Sequence, residues 1–558
     1  MNLKAPMGIL IHEMSIKEPC KADLVLLNGK IITVDGDFTI AEAVAVRDGR
    51  IMAVGSNEEV KRHIDEETEV IDLEGKTVLP GLIDSHIHLL SLGLTMFWIN
   101  CSTPPMRSIR DIVEAVRERA KELGPGEWII GRGWDQSKLE EHRFPNRWDL
   151  DEAAPNNPVY LIRTCGHVVV VNSKALEIAG IDRDTPQPEG GVIVKDEDGE
   201  PTGVLLERPA FWLVQRHIPQ PSFERKVEAI KRACRALNEV GITGVIEPGI
   251  TAEDMRAYQR ARAEGGLTVR VNMMLRGVEG DEPLEESLKR IRDFPLSTGF
   301  GDEMLRFLGL KLVIDGGIGG RTALLREPYE GEPDNYGVQT MPLEKLQRLI
   351  DEANLHDMTV GVHCAGGRAI DLVLKAFEET DRKRRIKGRR FTLIHAYLPS
   401  EENFEQCRRL GVVVASQPSF LYYLGDSFYE NVGAERASWA KPHRAWIDYG
   451  IVVAAGTDAP VTHYNPFVSL WAAITRRTEG GRQLGGEQCV GREEAIRMYT
   501  INAAYLSFEE HLKGSLEPGK LADIIVIDRD ILTCPIDEIK SIKVLRTILG
   551  GKTVYEAE

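Results

Sequence analysis

The chain has 558 residues, enough for one large barrel with a satellite domain or for about three or four smaller domains. Its 69 lysine and arginine residues stand against 86 acidic residues, and the net charge of −17 argues against nucleic-acid partners, which need cations that neutralise phosphates. No apolar run approaches the ~20 residues of a membrane helix, and the N-terminus lacks the pattern of a signal peptide, so we expect no membrane partner.

The eight cysteines lie far apart and form no CxxC pair. This usage excludes a disulfide-dense scaffold and indicates a reducing compartment. We therefore predict a cytoplasmic location.

Both ends of the chain have sequence patterns that are typical of β-strands and turns. Residues 22–55 carry Asn28-Gly29, Asp35-Gly36 and Asp48-Gly49 between short apolar runs, and such dipeptides are typical of hairpin turns. Similar runs return at 521–530 and 543–556. Because domain termini are often close in space, we expect the two ends to pack together.

Between the ends, apolar runs alternate with amphipathic stretches, which predicts parallel β-α units. The predicted helices are 108–123, 224–240, 252–264, 343–355 and 369–379. The predicted strands are 78–84, 244–247, 269–275, 309–314, 360–363, 392–395, 412–416 and 452–457. That is the number a closed (β/α)₈ barrel requires. Residues 102–222, too long for a plain loop, are predicted as an inserted subdomain over the barrel mouth, after the first strand.

The first predicted strand ends in His86 and His88, within PGLIDSHIH. A period of two puts both imidazoles on one face of a strand, and the C-terminal ends of barrel strands form the catalytic face. Two imidazoles there can bind one metal ion. The alternative is a pair of ordinary polar residues that close the strand.

Three later predicted strands end in the same way, at His363, His395 and Asp458. A single histidine after an apolar run is usually structural. Four matching strand ends, however, converge on one point if the strands form one barrel. Together they predict a metal site.

Lys311 is a charge inside the apolar run 308–314. One interpretation is a snorkelling or ion-paired lysine. In the other, burial and metal ions lower its pKa, and the neutral amine reacts with carbon dioxide to give a carbamate that bridges two metal ions. Glu207 is a rival bridging carboxylate. We favour a solvated acid for it, because it falls in the predicted insertion.

These motifs resemble the metal-dependent amidohydrolase superfamily, in its family 3, YtcJ-like branch, which includes N-substituted formamide deformylases. The resemblance covers nearly the whole chain and is carried by PGLIDSHIH (80–88), WIIGRGWD (128–135), GHVVVVNSKAL (166–176), DGGIGGRTALL (315–325), HCAGGRA (363–369), GTDAPV (456–461) and LEPGKLADIIV (516–526). It implies a (β/α)₈ barrel over 80–504 and a β-sandwich made from 1–79 and 505–558.

The resemblance also implies the ligand set: His86 and His88 for the more buried metal ion, His363 and His395 for the second, carboxylated Lys311 as the bridge, and Asp458. Asp458 would touch metal and accept the proton of the attacking water. The implied cofactor is one or two divalent ions; zinc is favoured, although such ligands also accept iron, manganese or nickel. Relatives often carry Asp where this chain has Gly367.

Further residues have weaker signals. Arg321 and His167 are candidate catalytic donors to a tetrahedral oxyanion, and each is equally a structural residue. Trp134 and Asp135 lie in the insertion and would shape a pocket, although tryptophans there are more often core. Asp84 is expected to be structural or to orient a ligand histidine. Gln417, Phe420 and Tyr422 are pocket candidates by position only.

The resulting prediction is a hydrolase that cleaves a carbon–nitrogen bond in an amide, formamide or cyclic amide of a small molecule. A deaminase is one alternative, but no glutamate follows His363 closely, as such enzymes would require. An esterase or lactonase uses the same chemistry. A metal-stabilised regulatory protein without activity is the alternative from another class. Self-association into a homo-oligomer is compatible with a large barrel.

Overall fold

The computed structural model describes residues 21–136, 138–164, 166, 168–188, 191–279 and 282–558. These residues divide into two compact units. The first comprises the described residues up to His88, together with Cys234–Met255 and Leu267–Glu558. The second comprises Leu89–Ala233 and Arg256–Gly266.

The first unit contains an eight-stranded parallel sheet whose strands follow one another in sequence order. The strands are Leu82–Asp84, Ile242–Ile250, Arg270–Arg276, Leu305–Val313, Thr359–Cys364, Thr392–His395, Val413–Ser416 and Val453–Ala455. A hydrogen bond from Ser85 N to Ala455 O (3.0 Å) connects the first strand to the eighth. The sheet therefore forms a nearly closed barrel, which confirms the predicted fold class.

The first predicted barrel strand, 78–84, is wrong as a single element. The structure has two strands there, Thr77–Pro80 and Leu82–Asp84, and only the second belongs to the barrel. Gly81 separates them: a Cβ at this position would lie 2.2 Å from Thr243 Oγ1. The apolar run is continuous, but this close approach redirects the backbone from one sheet to the other. The other predicted strands are confirmed with small shifts at their ends.

Helices follow the barrel strands, as the alternation of patterns predicts. They are Phe223–Glu239, Ala252–Ala263, Leu284–Asp293, Leu343–Leu355, Gly367–Lys383, Glu401–Leu410, Ser419–Trp439 with a break at Gly433, His443–Asp448, Pro466–Thr475, Arg492–Met498 and Ile501–Leu506. Within the described ranges, every helix is too short or too polar to span a bilayer.

Strands from the two ends of the chain form two further sheets of the first unit. One contains Leu24–Leu27, Ala43–Arg47, Arg50–Gly55 and Glu69–Asp72. The other contains Lys30–Ile32, Ile40–Ala41, Thr77–Pro80, Ile524–Ile527, Val544–Leu549 and Lys552–Glu556. Strand Ile524–Ile527 pairs antiparallel with Thr77–Pro80, so the two ends share one sheet. Apolar side chains of both sheets, among them Leu26 and Val526, form one buried cluster.

The second unit has its own sheet, of six strands: Ile99–Asn100, Ile129–Trp134, Val159–Arg163, Val168–Val171, Val192–Lys195 and Pro201–Leu206. Its helices include Leu89–Thr95, Ile109–Glu122, Arg147–Asp151, Ser173–Ala179 and Glu207–Gln215. The predicted insertion, 102–222, lies inside this unit. Its placement over the barrel mouth stays a prediction.

A buried ion pair connects the third barrel strand to the C-terminal β segment. Arg270 donates from Nε and Nη2 to the two oxygens of Asp523, at 2.7 and 2.8 Å, and both side chains are 5% exposed. Gly550 N donates to the same carboxylate (2.9 Å). This bidentate geometry satisfies two charges that would otherwise be costly to bury.

We expect Asp523→Asn to lower the free energy of unfolding by about 3–5 kcal/mol, because the Arg270 guanidinium would stay buried without its counter-charge. The measurement is the urea midpoint, followed by circular dichroism. The double variant Arg270→Met/Asp523→Leu removes both charges and should recover much of this loss. Equal or greater destabilisation in the double variant would contradict the electrostatic explanation.

Candidate metal centre

Three side chains from different parts of the chain form the centre of the candidate site. His86, His395 and Asp458 each offer one ligand atom, and these atoms lie within 4.8 Å of one another. His86 follows the first barrel strand, His395 ends the sixth, and Asp458 follows the eighth. All three are buried. Closure of the barrel brings them together although His86 lies more than three hundred residues before the other two in the chain.

The two other histidines extend this group. Asp458 Oδ1 lies 3.5 Å from His86 Nε2 and 3.4 Å from His88 Nε2. The ring centroids of His86 and His395 are 5.2 Å apart, and those of His395 and His363 are 4.4 Å apart. The four imidazoles and one carboxylate therefore form a continuous cluster. The first strand ends at Asp84, so His86 and His88 follow it rather than lying on it.

Backbone contacts between the first and eighth strands position this cluster. Asp458 N donates to His86 O (2.7 Å). Asp84 accepts from His86 N (3.0 Å) and from Thr457 Oγ1 (2.6 Å). Asp84 thus holds the two chain segments that carry His86 and Asp458, which agrees with the structural interpretation of this residue. Burial raises the pKa of Asp84 to about 7, and its hydrogen bonds oppose that rise.

His395 and Asp458 both have positive φ angles, 76° and 55°. Non-glycine residues rarely adopt this conformation, and it occurs mainly where the surrounding structure enforces it, often at functional sites. Here it occurs at the last residue of the sixth strand and three residues after the end of the eighth, where both side chains join the cluster.

Gln417 determines which nitrogen of His395 faces the cluster. Its Nε2 donates to Ala415 O (3.1 Å), so its Oε1 is the atom 2.6 Å from His395 Nδ1. Because an amide oxygen only accepts, Nδ1 must carry the proton, and Nε2 keeps its lone pair for a metal ion. Lys441 Nζ donates to the same Oε1 (3.1 Å) and to His395 O (3.3 Å).

Lys441 was not predicted from the sequence, because it is an isolated lysine before Pro442 and belongs to no recognisable motif. Its side chain is fully buried, and its Nζ lies 4.1 Å from the ring centroid of Tyr397 and 5.2 Å from that of Phe420. Burial lowers the pKa of Lys441 well below its usual value. Phe420 in turn stacks on His395, with ring centroids 6.0 Å apart.

Lys311 lies in the fourth strand, buried beside the cluster. Burial lowers the pKa of Lys311 to about 8, and the negative charge of Asp458 opposes that fall. Burial first, and the charge of Lys311 second, lower the pKa of His88 to about 4 and that of His363 to about 3. Burial also raises the pKa of Asp458 to about 7, against the charge of Lys311.

Asp315, which the sequence marked only as part of a motif, supports His363. Its carboxylate accepts from the backbone N–H groups of Ala365 (2.9 Å), Gly366 (2.8 Å) and Leu324 (2.9 Å). His363 Nε2 lies 3.5 Å from Asp315 Oδ1. The same Nε2 lies 3.1 Å from the Gly316 carbonyl, which only accepts, so Nδ1 of His363 is left for a metal ion.

The weaker candidates fall elsewhere. Arg321 donates from Nε to Asn431 (2.9 Å) and from Nη1 to Glu332 (2.6 Å), contacts that favour the structural interpretation. His167 lies outside the described residues. Glu207 is exposed, at the start of helix Glu207–Gln215 in the second unit.

Other predicted pocket residues have structural roles. Trp134 is fully buried in the second unit, where its Nε1 donates to Leu161 O (3.1 Å). Asp135 pairs with Arg163 (2.9 Å). Tyr422 packs edge-on against Trp471.

Gly367 has no room for the aspartate of relatives. A Cβ there would lie 2.6 Å from Arg326 Nη1 and 2.7 Å from Leu398 O. Arg326 itself donates two hydrogen bonds, of 2.8 and 2.6 Å, to Asp371, which lies on the helix that begins at Gly367.

The donor set fits a divalent cation. Asp458 Oδ1 and His86 Nδ1 are buried and have no hydrogen-bond partner within the described part of the chain. A buried carboxylate oxygen without a donor is costly, and a metal ion satisfies it. Imidazole and carboxylate are ligands that zinc and related ions accept.

We expect Gln417→Leu to weaken metal affinity about 10- to 100-fold, because partners that fix a ligand histidine contribute about that much. Competition with a fluorescent chelator measures the dissociation constant. Gln488→Leu is the matched control: Gln488 is also buried, but its Oε1 accepts from Ala445 N (3.0 Å) instead of contacting a ligand. Equal affinity in wild type and Gln417→Leu would contradict the positioning role.

The chain is similar to known proteins over most of its length. Residues 69–555 match the family model described as "Amidohydrolase family". YtcJ of Bacillus subtilis is 34% identical over 94% of this chain and 97% of its own length. The N-substituted formamide deformylase of Arthrobacter pascens is 32% identical over 96% of this chain and 98% of its own length.

A solved structure is similar as well. An uncharacterized metal-dependent hydrolase from Pyrococcus horikoshii superposes with a TM-score of 0.75 at 28% identity, covering 92% of this chain and 99% of the other. The family match extends over most of the chain and includes every ligand candidate. The chain therefore belongs to the amidohydrolase family.

Proposed function

We propose that this protein is a metal-dependent hydrolase that cleaves carbon–nitrogen bonds, other than peptide bonds, in small amides. The observation that carries the proposal is the cluster of four histidines, of which His86 and His395 are buried, around the Asp458 oxygen that accepts no hydrogen bond within the described residues. The relation to a formamide deformylase supports N-formyl amines as the first substrates to test.

We assign zinc to the site, held by His86, His88, His363, His395 and Asp458. Lys311, buried beside these ligands, would bridge a pair of ions as a carbamate. The lowered pKa of Lys311 favours that modification, because only the neutral amine reacts. Its Nζ attacks the carbon of carbon dioxide, an N–C bond forms while one C=O π bond opens to give the carbamate oxygen anion, and one N–H proton is released.

Bound divalent ions would lower the pKa of a water molecule and polarise the scissile carbonyl. We propose Asp458 as the general base; the proposal is supported by its Oδ1, which lies within 3.5 Å of the Nε2 atoms of His86 and His88 and accepts no hydrogen bond in the described structure. It takes the proton of the attacking water and delivers it to the leaving amine nitrogen as the C–N bond breaks. The catalytic roles of Arg321 and His167 stay predictions.

The deaminase alternative finds no support next to His363. The residues that follow it are Cys364, Ala365, Gly366 and Gly367, none of which carries a carboxylate. We also propose a cytoplasmic location, which the six described cysteines support because all of them are free. Self-association stays a prediction.

Asp458→Asn should reduce the turnover of N-formyl amines by about 10²–10⁴-fold, because the amide cannot accept the proton of water. Release of formate and of the amine by the metal-loaded enzyme measures this. The control is Asp448→Asn, at a mostly exposed aspartate that pairs with Arg444 (3.0 Å) outside the cluster. Unchanged turnover in Asp458→Asn would contradict the proposed base.

A further inference from the structure

Arg276 is a cation at the catalytic end of the barrel that the mechanism above does not use. It is the last residue of the third strand, Arg270–Arg276, and its backbone pairs with that of Lys311 on the fourth strand. Laterally paired residues of a parallel sheet direct their side chains to the same face. Lys311 is buried beside the metal ligands, so Arg276 shares that inner face one strand away.

Unlike Lys311, Arg276 is exposed, as expected for a residue at the open end of the barrel. Its Nε donates to Gly249 O (2.8 Å), at the end of the second strand. Gly249 also borders Lys311, because a Cβ at Gly249 would lie 3.6 Å from Lys311 Cγ. One glycine backbone thus lies between the two cations, and its carbonyl fixes the direction of the guanidinium.

The two terminal nitrogens of Arg276 are unused. Across the described residues, Nη1 and Nη2 have no hydrogen-bond partner, and no carboxylate is within ion-pair distance. Most other arginines of this acidic chain pair with carboxylates or carbonyls, as Arg270 and Arg326 do. The positive charge of Arg276 also acts on His88: after burial and the charge of Lys311, it is the next contribution that lowers the pKa of this histidine.

We propose that Arg276 binds a carboxylate of the substrate, and that the preferred substrates are N-formyl or N-acyl amines with a carboxylate near the scissile amide, such as N-formyl amino acids. The inference rests on the proposed function and names its substrate class. A guanidinium offers two parallel N–H donors that match the two oxygens of a carboxylate. Because Nε of Arg276 is bound to Gly249 O, Nη1 and Nη2 are the donors available for this contact.

Two other roles make different predictions. As a donor to the tetrahedral oxyanion, Arg276 would assist every amide equally. As a purely structural cap on Gly249, it would affect stability but not the choice between charged and neutral substrates. Discrimination between two substrates that differ only in the carboxylate therefore separates the three roles.

The test compares N-formylphenylalanine with N-formylphenethylamine, which lacks only the carboxylate, on the zinc-loaded full chain. We expect the wild type to favour the acid about 10- to 100-fold in kcat/KM, the usual effect of a charge-assisted hydrogen-bonded pair. Arg276→Met should remove this preference, because it lowers kcat/KM for the acid far more than for the neutral substrate. Arg276→Lys should retain part of the preference for the acid, because lysine supplies the positive charge but not the two parallel N–H donors of the guanidinium.

Lys289→Met is the charge-matched control, because it removes one exposed cation that pairs with Asp293 on a surface helix. It should leave the preference intact. Calorimetric binding of N-formylphenylalanine to the chelator-treated chain gives a readout without turnover. There Arg276→Met should weaken binding about 10- to 100-fold relative to wild type.

Equal losses for both substrates in Arg276→Met would overturn the inference, and so would a wild type that favours the neutral formamide. In either case hydrolysis of the neutral compound would still support the proposed function. A metal-loaded wild type that binds the acid through Arg276 but cleaves neither compound would instead contradict the proposed function.

Discussion

The hydrogen bonds that join the first barrel strand to the eighth are the constraint on which the site depends. Ser85 N to Ala455 O, Asp458 N to His86 O, and the contacts of Asp84 with Thr457 bring the two ends of the sheet together. Without them Asp458 would not lie 3.5 Å from His86. Parallel barrel strands place all their carboxyl ends on one face, so ligands that are far apart in the sequence form one cluster there.

The cluster has a physical cost that a metal ion offsets. Burial disfavours the charged forms of the histidines, of Lys311 and of Asp458 alike, and the pKa of each moves accordingly. Asp458 Oδ1 is left without a donor inside the protein. A divalent cation replaces the lost solvation of such groups, so metal binding and the stability of this region are expected to be linked.

Much of the barrel could be predicted because strands buried on both faces appear in the sequence as continuous apolar runs, and their ends are marked by His363, His395 and Asp458. The break at Gly81 could not, because it follows from a close approach to Thr243, a tertiary contact.

The residues that contact and orient the ligand histidines also could not be predicted from the sequence. Gln417 was a candidate by position alone, and Lys441 was not a candidate at all, because their roles depend on distances to His395 that no local pattern encodes. Arg276 is likewise recognised only through its register with Lys311. The sequence thus identified candidate ligands at strand ends, while the structure was needed to find what orients them.

The most direct test of the account is the metal content of the purified chain, measured by elemental analysis on wild type and Lys311→Ala after reconstitution with zinc and bicarbonate. We expect two ions per chain in the wild type and one or none in Lys311→Ala. One ion in both would make the site mononuclear and Lys311 structural. No bound metal in either protein, even after reconstitution, would contradict the central claim that these strand ends form a metal-dependent hydrolytic site.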